Sequence, residues 1–313
     1  DPTVNEGQTW YNTTSNVLKY DTIGAGAWAA GGDLNIGRPQ AQGTGFGIQT
    51  AAICAGGNVP PITLKTEQYN GTAWTELASP SDLTFTAYTR NNAAAGTITA
   101  GLMFGGNPGV APPWTGNDTE IWNGSTWAET GDMTATHRLA GGLGTSTAAV
   151  CCGGYQNDST TFTTTEEFNG SVWAAIPGGN MNTSAHSFGS NGIQTAGMVA
   201  GGAPGSLTQT ETYDGATWTS LGNILNNGRD DNEMEGTVTA ALCMGGNPGT
   251  VKTETFNGST WTNVADSTYA KANCGGAGTQ ALGLGFGSDS APLIRKTEEW
   301  NGAPEAVQTV TTS

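Results

Sequence analysis

Short apolar runs closed by glycine recur at near-constant distance along the chain, and each is followed by a polar segment carrying one acidic and one aromatic residue. Thr147 to Cys152, ahead of Gly153, is one such run. Gly47, Gly96, Gly144, Gly192, Gly236 and Gly278 are each followed nine residues later by a second glycine, at Gly56, Gly105, Gly153, Gly201, Gly245 and Gly287. Downstream, Thr66 Glu67 … Tyr69 Asn70 Gly71 … Trp74 returns as Thr119 Glu120 … Trp122 Asn123 Gly124 … Trp127, and again at Glu166, Glu211, Glu254 and Glu298. Seven residues after the first five of these glutamates stand Trp74, Trp127, Trp173, Trp218 and Trp261. The sixth copy has Glu305 there instead, and Trp28, ahead of the first complete repeat, is the spare tryptophan.

Each unit reads as four short strands, a to d. Strand a precedes the first glycine, b is the apolar run, c carries the acid and the aromatic, and d carries the tryptophan. Asn-Gly between c and d predicts a type I′ hairpin turn, which needs positive φ at both central residues. A period of 43 to 53 residues rich in Thr, Val, aromatics and Gly matches one blade of a β-propeller. The expected fold is therefore all-β: a six-bladed propeller of four-stranded antiparallel blades over residues 23–313, closed when the N-terminal strand bearing Trp28 joins the C-terminal repeat. Residues 1–22 are read as an N-terminal hairpin or attachment arm, and Val307 to Thr311 either adds a strand or trails.

The double glycine, the aromatic and the later tryptophan resemble kelch repeats over roughly residues 23 to 303, with a shorter aromatic-to-tryptophan spacing (Tyr69 to Trp74) than is usual there. That resemblance implies a propeller closed by strands from both termini. Thr-Glu-Glu-Phe-Asn-Gly-Ser-x-Trp and Gly-x-Gln-Thr-Ala-Ala look like kelch-like proteins encoded by marine bacteriophages. The start, Gly7 Gln8 Thr9 Trp10 Tyr11 Asn12 Thr13 Thr14, is similar to a segment of phage tail-fibre and virion-appendage proteins.

Charge narrows the partners. Ten Lys plus Arg against 26 Asp plus Glu give a net charge of −16, which opposes binding to phosphate backbones. No apolar run is long enough for a membrane span; the chain starts at Asp1 without a methionine, which suggests processing or a fragment, and no secretory signal is visible. Of five cysteines, Cys54, Cys151 and Cys243 each lie two residues before the second glycine. Equivalent slots in separate blades are too far apart for a disulfide, so small buried thiols are expected. Adjacent Cys151 and Cys152 should point to opposite faces of their strand.

The six repeat glutamates invite comparison with a cation-binding ring. A basic series, Arg38, Arg90, Arg138, His186, Arg229 and Lys271, runs beside them near the starts of strands a. One acid and one base per blade is what blade-to-blade hydrogen bonding requires, so the glutamates and the six tryptophans are read as structural. Catalytic chemistry finds little purchase. With only His137 and His186, a three-histidine metal site cannot be built, and a histidine-based triad or a copper-oxidase site has little to start from. Thr212 Tyr213 Asp214 Gly215 is loosely similar to a sialidase Asp-box, but Asp214 merely replaces the turn asparagine of the other repeats. The run Arg229 Asp230 Asp231 Asn232 Glu233 Met234 Glu235 offers oxygen ligands without the spacing of a known calcium loop and is read as a solvated loop. No cofactor and no metal are expected.

Length variation between repeats is confined to the b–c and d–a connections, which share one face of the disc. That face is free to carry function. Its long connections hold Phe85 and Tyr88, and Trp114 beside Pro112 and Pro113; Trp114 has no counterpart in any other repeat. It either stacks on a ligand, with Asn117, Asp118, Asn157 and Asp158 adding hydrogen bonds, or folds back over its own blade. The sequence thus points to a non-enzymatic binding or structural module on a virion or extracellular surface, meeting a host-surface glycan or protein, or an assembly partner. A carbohydrate-active enzyme using acids on the variable face, or a purely structural decoration, are the alternatives.

Overall fold

A computed structural model of the chain describes residues 9–12, 17–23, 26–57, 63–84, 92–106, 116–156, 160–289, 292–302 and 305–309. Six four-stranded antiparallel sheets form the blades of a propeller. Blade 1 comprises Gly45–Ile48, Ala51–Ala55, Thr66–Tyr69 and Trp74–Glu76 as strands a to d. Strands a of the following blades are Ala93–Thr97, Gly141–Thr145, Gly189–Ile193, Glu233–Thr237 and Gly275–Gly278. Each strand a neighbours the next, and Gly275–Gly278 returns to Gly45–Ile48, so the ring closes around a central channel. Strand d of blade 6 is Ala27–Ala30 from the start of the chain, pairing antiparallel with Thr297–Asn301 so that Trp28 lies opposite Trp300. Trp28 therefore completes the last blade.

The repeated tryptophans tie neighbouring blades together. Each indole Nε1 donates to the hydroxyl of the threonine that precedes the repeat glutamate in the blade before: Trp28 to Thr253, Trp74 to Thr297, Trp127 to Thr66, Trp173 to Thr119, Trp218 to Thr165 and Trp261 to Thr210, all within 2.9–3.0 Å. An indole NH buried between sheets needs such an acceptor, and supplying it from the adjacent blade fixes the packing angle as well as satisfying the donor. The glutamine of the a–b turn adds a second tie. Gln194 Nε2 donates to Ala149 O and Phe168 O of the preceding blade, as Gln280 does to Ala241 O and Phe256 O.

Both marker glycines have steric reasons. The first lies at φ +106° to +130°, and a Cβ on it would sit 2.2–2.4 Å from the carbonyl across its own turn, as Gly144 would against Ala148 O. Only glycine takes that conformation at no cost. The second closes onto the following blade: a Cβ at Gly245 would be 2.2 Å from Lys271 O, and one at Gly201 would be 2.6 Å from Arg229 O. The Asn-Gly turn departs from the expected type I′. Gly71 has φ +87° but Asn70 stays outside the left-handed region. Instead, Asn70 Oδ1 accepts from the N–H groups of Thr72 and Ala73, a side chain standing in for a backbone turn. Asp214 accepts from Ala216 and Thr217 in the same way, which gives it the turn role.

The five cysteines are buried and free. Cys151 packs in the cluster with Phe104 and Trp173, whereas Cys152 packs with Phe188 and Trp218, on opposite sides of one strand. Outside the blades, Thr9–Asn12, Val17–Ile23 and Glu305–Thr309 form a three-stranded sheet, so the stretch from Val307 does join a strand. No helix among the described residues is long and apolar enough to cross a membrane.

Candidate functional site

The two faces of the disc are built differently. On the b–c and d–a side, successive connections hold one another through a chain of backbone hydrogen bonds: Ser187 N to Leu139 O, Asp231 N to Ser187 O, Asn273 N to Asp231 O and Ala41 N to Asn273 O, at 2.6–2.9 Å. Leu139, Ser187, Asp231 and Asn273 lie at φ +53° to +57° to make these bonds. This strained belt frames the channel mouth. Isolated bridges Gly116 to His137, Arg138 to Tyr155, His186 to Ala203 and Asp230 to Asn247 join the b–c connections of blades 2 to 5 to neighbouring d–a connections.

Beneath the belt, each repeat glutamate anchors the connection entering its own blade. Glu67 accepts from the backbone N–H groups of Asn35 and Ile36 and from Arg38, whose Nη2 stands 3.0 Å away. Glu254 does the same for Asn226, Asn227 and Arg229, and Glu298 for Thr268 and Lys271. Glu166 takes the N–H groups of Thr134 and Ala135 with His137 Nε2 at 3.3 Å. Burial pushes the Glu166 carboxyl up, but these donors outweigh it and hold the pKa below the ordinary range.

The basic series read from the sequence needs correcting here. His137, not Arg138, meets Glu166, and His186 is no partner of Glu211, which accepts from Asn182 and Thr183 while Ala185 occupies the slot that His137 fills. The pairs pin a loop to its own blade, and the blade-to-blade tie expected of them is made by tryptophan and threonine. Arg90 lies outside the described residues. Glu120, likewise buried, accepts from Thr84.

Of the residues proposed to contact a ligand, Phe85, Tyr88, Trp114, Asn157 and Asp158 lie outside the described residues. Asn117 is committed to the fold: its Nδ2 donates to Met133 O at 3.1 Å and its carbonyl accepts from Met133 N at 2.9 Å. Asp118 is half-buried, and burial, with Asp132 next to it, raises its carboxyl above the usual range.

A cluster that the sequence did not single out lies beside the belt. Arg138 sits over the ring of Tyr155 at 5.2 Å, and Tyr155 meets His186 with ring centroids 4.1 Å apart. All three are half-buried. Burial depresses the His186 pKa to about 4, so the imidazole is neutral at pH 7. Next along the belt, Asp230 accepts from Ser206 and Asn247. A planar guanidinium, two rings and a carboxylate beside the belt offer apolar surface together with hydrogen bonds of both polarities.

The chain matches no protein-family model and no curated protein.

The acidic run corrects a further expectation. It is not a solvated loop: Arg229 is fully buried, Asp230 and Asn232 are buried, and Glu233 to Glu235 belong to strand a of blade 5. Glu233 and Glu235 line the channel together with Gln42, Ser190, Asn191 and the glycines of strands a. The periodicity held the signal. Five blades place Phe46, Ala95, Leu143, Asn191 and Ala277 where blade 5 has Glu235. Among the described residues, no group of three or more His, Cys, Asp or Glu is placed to hold a metal.

Proposed function

We propose that this propeller is a non-enzymatic binding or structural module, a virion appendage of the kelch-like type that phages encode, recognising a host-surface glycan or protein through its variable face. The observation that carries the reading is the asymmetry of the disc. One face is closed by short, repeated turns, and the other bears irregular connections, a strained belt and the Arg138–Tyr155–His186 cluster. A rigid scaffold with one variable face is the arrangement in which recognition is ordinarily placed. The net charge of −16 supports a neutral or cationic partner over nucleic acid. In this reading the N-terminal hairpin, sheeted with the C-terminal strand, is the attachment arm and faces an assembly partner. The setting is extracellular or at a virion surface.

Binding of the purified chain to a glycan array and to intact bacterial cells tests this, with Trp114→Ala and Arg138→Ala as variants. Saturable binding weakened at least tenfold by either substitution supports recognition through the variable face. Binding unchanged in both places the contact elsewhere, and binding by none of the three chains favours a purely structural subunit. Turnover of an array ligand would replace the reading with a carbohydrate-active enzyme.

A further inference from the structure

Six repeat glutamates in this protein are buried, and each is met by backbone N–H groups, a hydroxyl or a cationic side chain. Glu233 and Glu235 are built otherwise. They project from one side of strand a in blade 5, and both lie along the bare backbone of Gly276 in blade 6: a Cβ there would be 2.5 Å from Glu233 Cγ and 2.4 Å from Glu235 Oε1. Glu233 accepts from the N–H groups of Met234 and Gly43. Glu235 makes no hydrogen bond among the described residues. Neither acid has a lysine, arginine or histidine facing it, for no such residue lines the channel.

Two amide side chains turned into the same space are also short of partners. Asn191, on strand a of blade 4, is only 6% exposed, and neither its Oδ1 nor its Nδ2 has a partner. Gln42, 8% exposed, spans the channel mouth, its Nε2 donating to Phe188 O and Asn232 O while its Oε1 has no donor. A buried polar atom without a partner has lost its water and gained nothing in exchange, so three such atoms around one cavity mark a site that something polar completes.

We propose that the central channel is a binding site for one hydrated divalent cation of the calcium class, with Glu233 and Glu235 as carboxylate ligands and Asn191 Oδ1 and Gln42 Oε1 as neutral oxygen donors. The donor set is entirely oxygen, which suits a hard cation and not zinc or copper. The cavity, about 170 Å³, far exceeds the room one water needs, so the ion keeps several waters. Calcium's tolerance of irregular geometry fits donors contributed by three different blades, where magnesium demands near-octahedral order. Burial moves Glu233 up to about 8 and lifts Glu235 well above the carboxylate range, with Glu233 adding to the latter. The remaining titratable groups beside the pair are the thiols Cys243 and Cys274, themselves pushed upward by burial.

The test is calcium titration by calorimetry at pH 8 in 0.15 M NaCl, salt that screens diffuse attraction to the acidic surface. The expected result is one ion per chain with Kd on the order of 10⁻⁴ M, as in extracellular calcium modules. The double variant Glu233→Gln with Glu235→Gln should abolish binding. Asn191→Ala, which leaves both acids in place, should weaken it at least threefold and decides the matter if the double variant fails to fold. Absence of saturable binding below 5 mM calcium, or binding indifferent to both variants, overturns the proposal.

Discussion

The indole NH of Trp173 and the hydroxyl of Thr119, 3.0 Å apart across a blade boundary, show how single atoms set this architecture. Trp173→Phe keeps most of the buried volume and loses one hydrogen bond, so urea unfolding should show a loss of about 1 kcal/mol. Trp173→Ala empties the same slot and should cost about 3–5 kcal/mol. The buried ion pair behaves asymmetrically. Arg229→Met strands the Glu254 carboxylate and should cost about 3–5 kcal/mol, much of it recovered when Glu254→Gln is added. For the channel acids the sign follows from their raised folded pKa. Their stabilising contribution is complete below the unfolded carboxyl pKa, and for Glu233 it is lost as pH rises through about 8. In the presence of chelator, Tm should therefore fall between pH 5 and 9, and Glu235→Gln should flatten that fall.

At the scale of elements, a strand b ends where it does because its second glycine must pass under the next blade's incoming connection. Gly245→Ala sets a Cβ 2.2 Å from Lys271 O at a position already at φ +64°, and both backbones are held by hydrogen bonds, Gly245 N to Lys252 O and Lys271 N to Thr250 O. Gly205 is the natural control: its φ is +88°, yet a Cβ there meets nothing within 4 Å. Gly205→Ala should cost about 1–2 kcal/mol of conformational strain alone, whereas Gly245→Ala should lower Tm by at least twice as much, measured by thermal unfolding of the two variants side by side. The c–d turn teaches a related lesson. Asn-Gly marked its place correctly, but a four-residue connection between Tyr69 and Trp74 lets the asparagine side chain cap the turn, so a second positive φ is unnecessary.

For the whole molecule, closure rests on Ala27–Ala30 crossing to blade 6. Removing residues 1–32 would take away strand d, the Trp28 bond to Thr253, and the tryptophan face on which Lys271 Nζ rests at 4.5 Å. A broadened, less cooperative unfolding transition is expected, with a loss of Tm well beyond that of a surface truncation. Unchanged cooperative unfolding would show that the ring does not depend on this strand. No disulfide assists closure, since the five thiols are free and burial holds them protonated, Cys54 and Cys243 at about 11.

Repetition made the blades legible. A residue that recurs in every unit does one job under one set of local constraints, so the glycines, the c–d turn position, the tryptophans and the spare Trp28 could all be placed from spacing alone. The acid–base pairing was only half legible, because Arg138 and His137 are neighbours in sequence and backbone direction decides which of them points at Glu166. The belt of left-handed residues, the Arg138–Tyr155–His186 cluster and the acids of the channel were not legible. Each arises where different blades meet around an axis, and residues brought together by closure of a ring carry no fixed spacing along the chain.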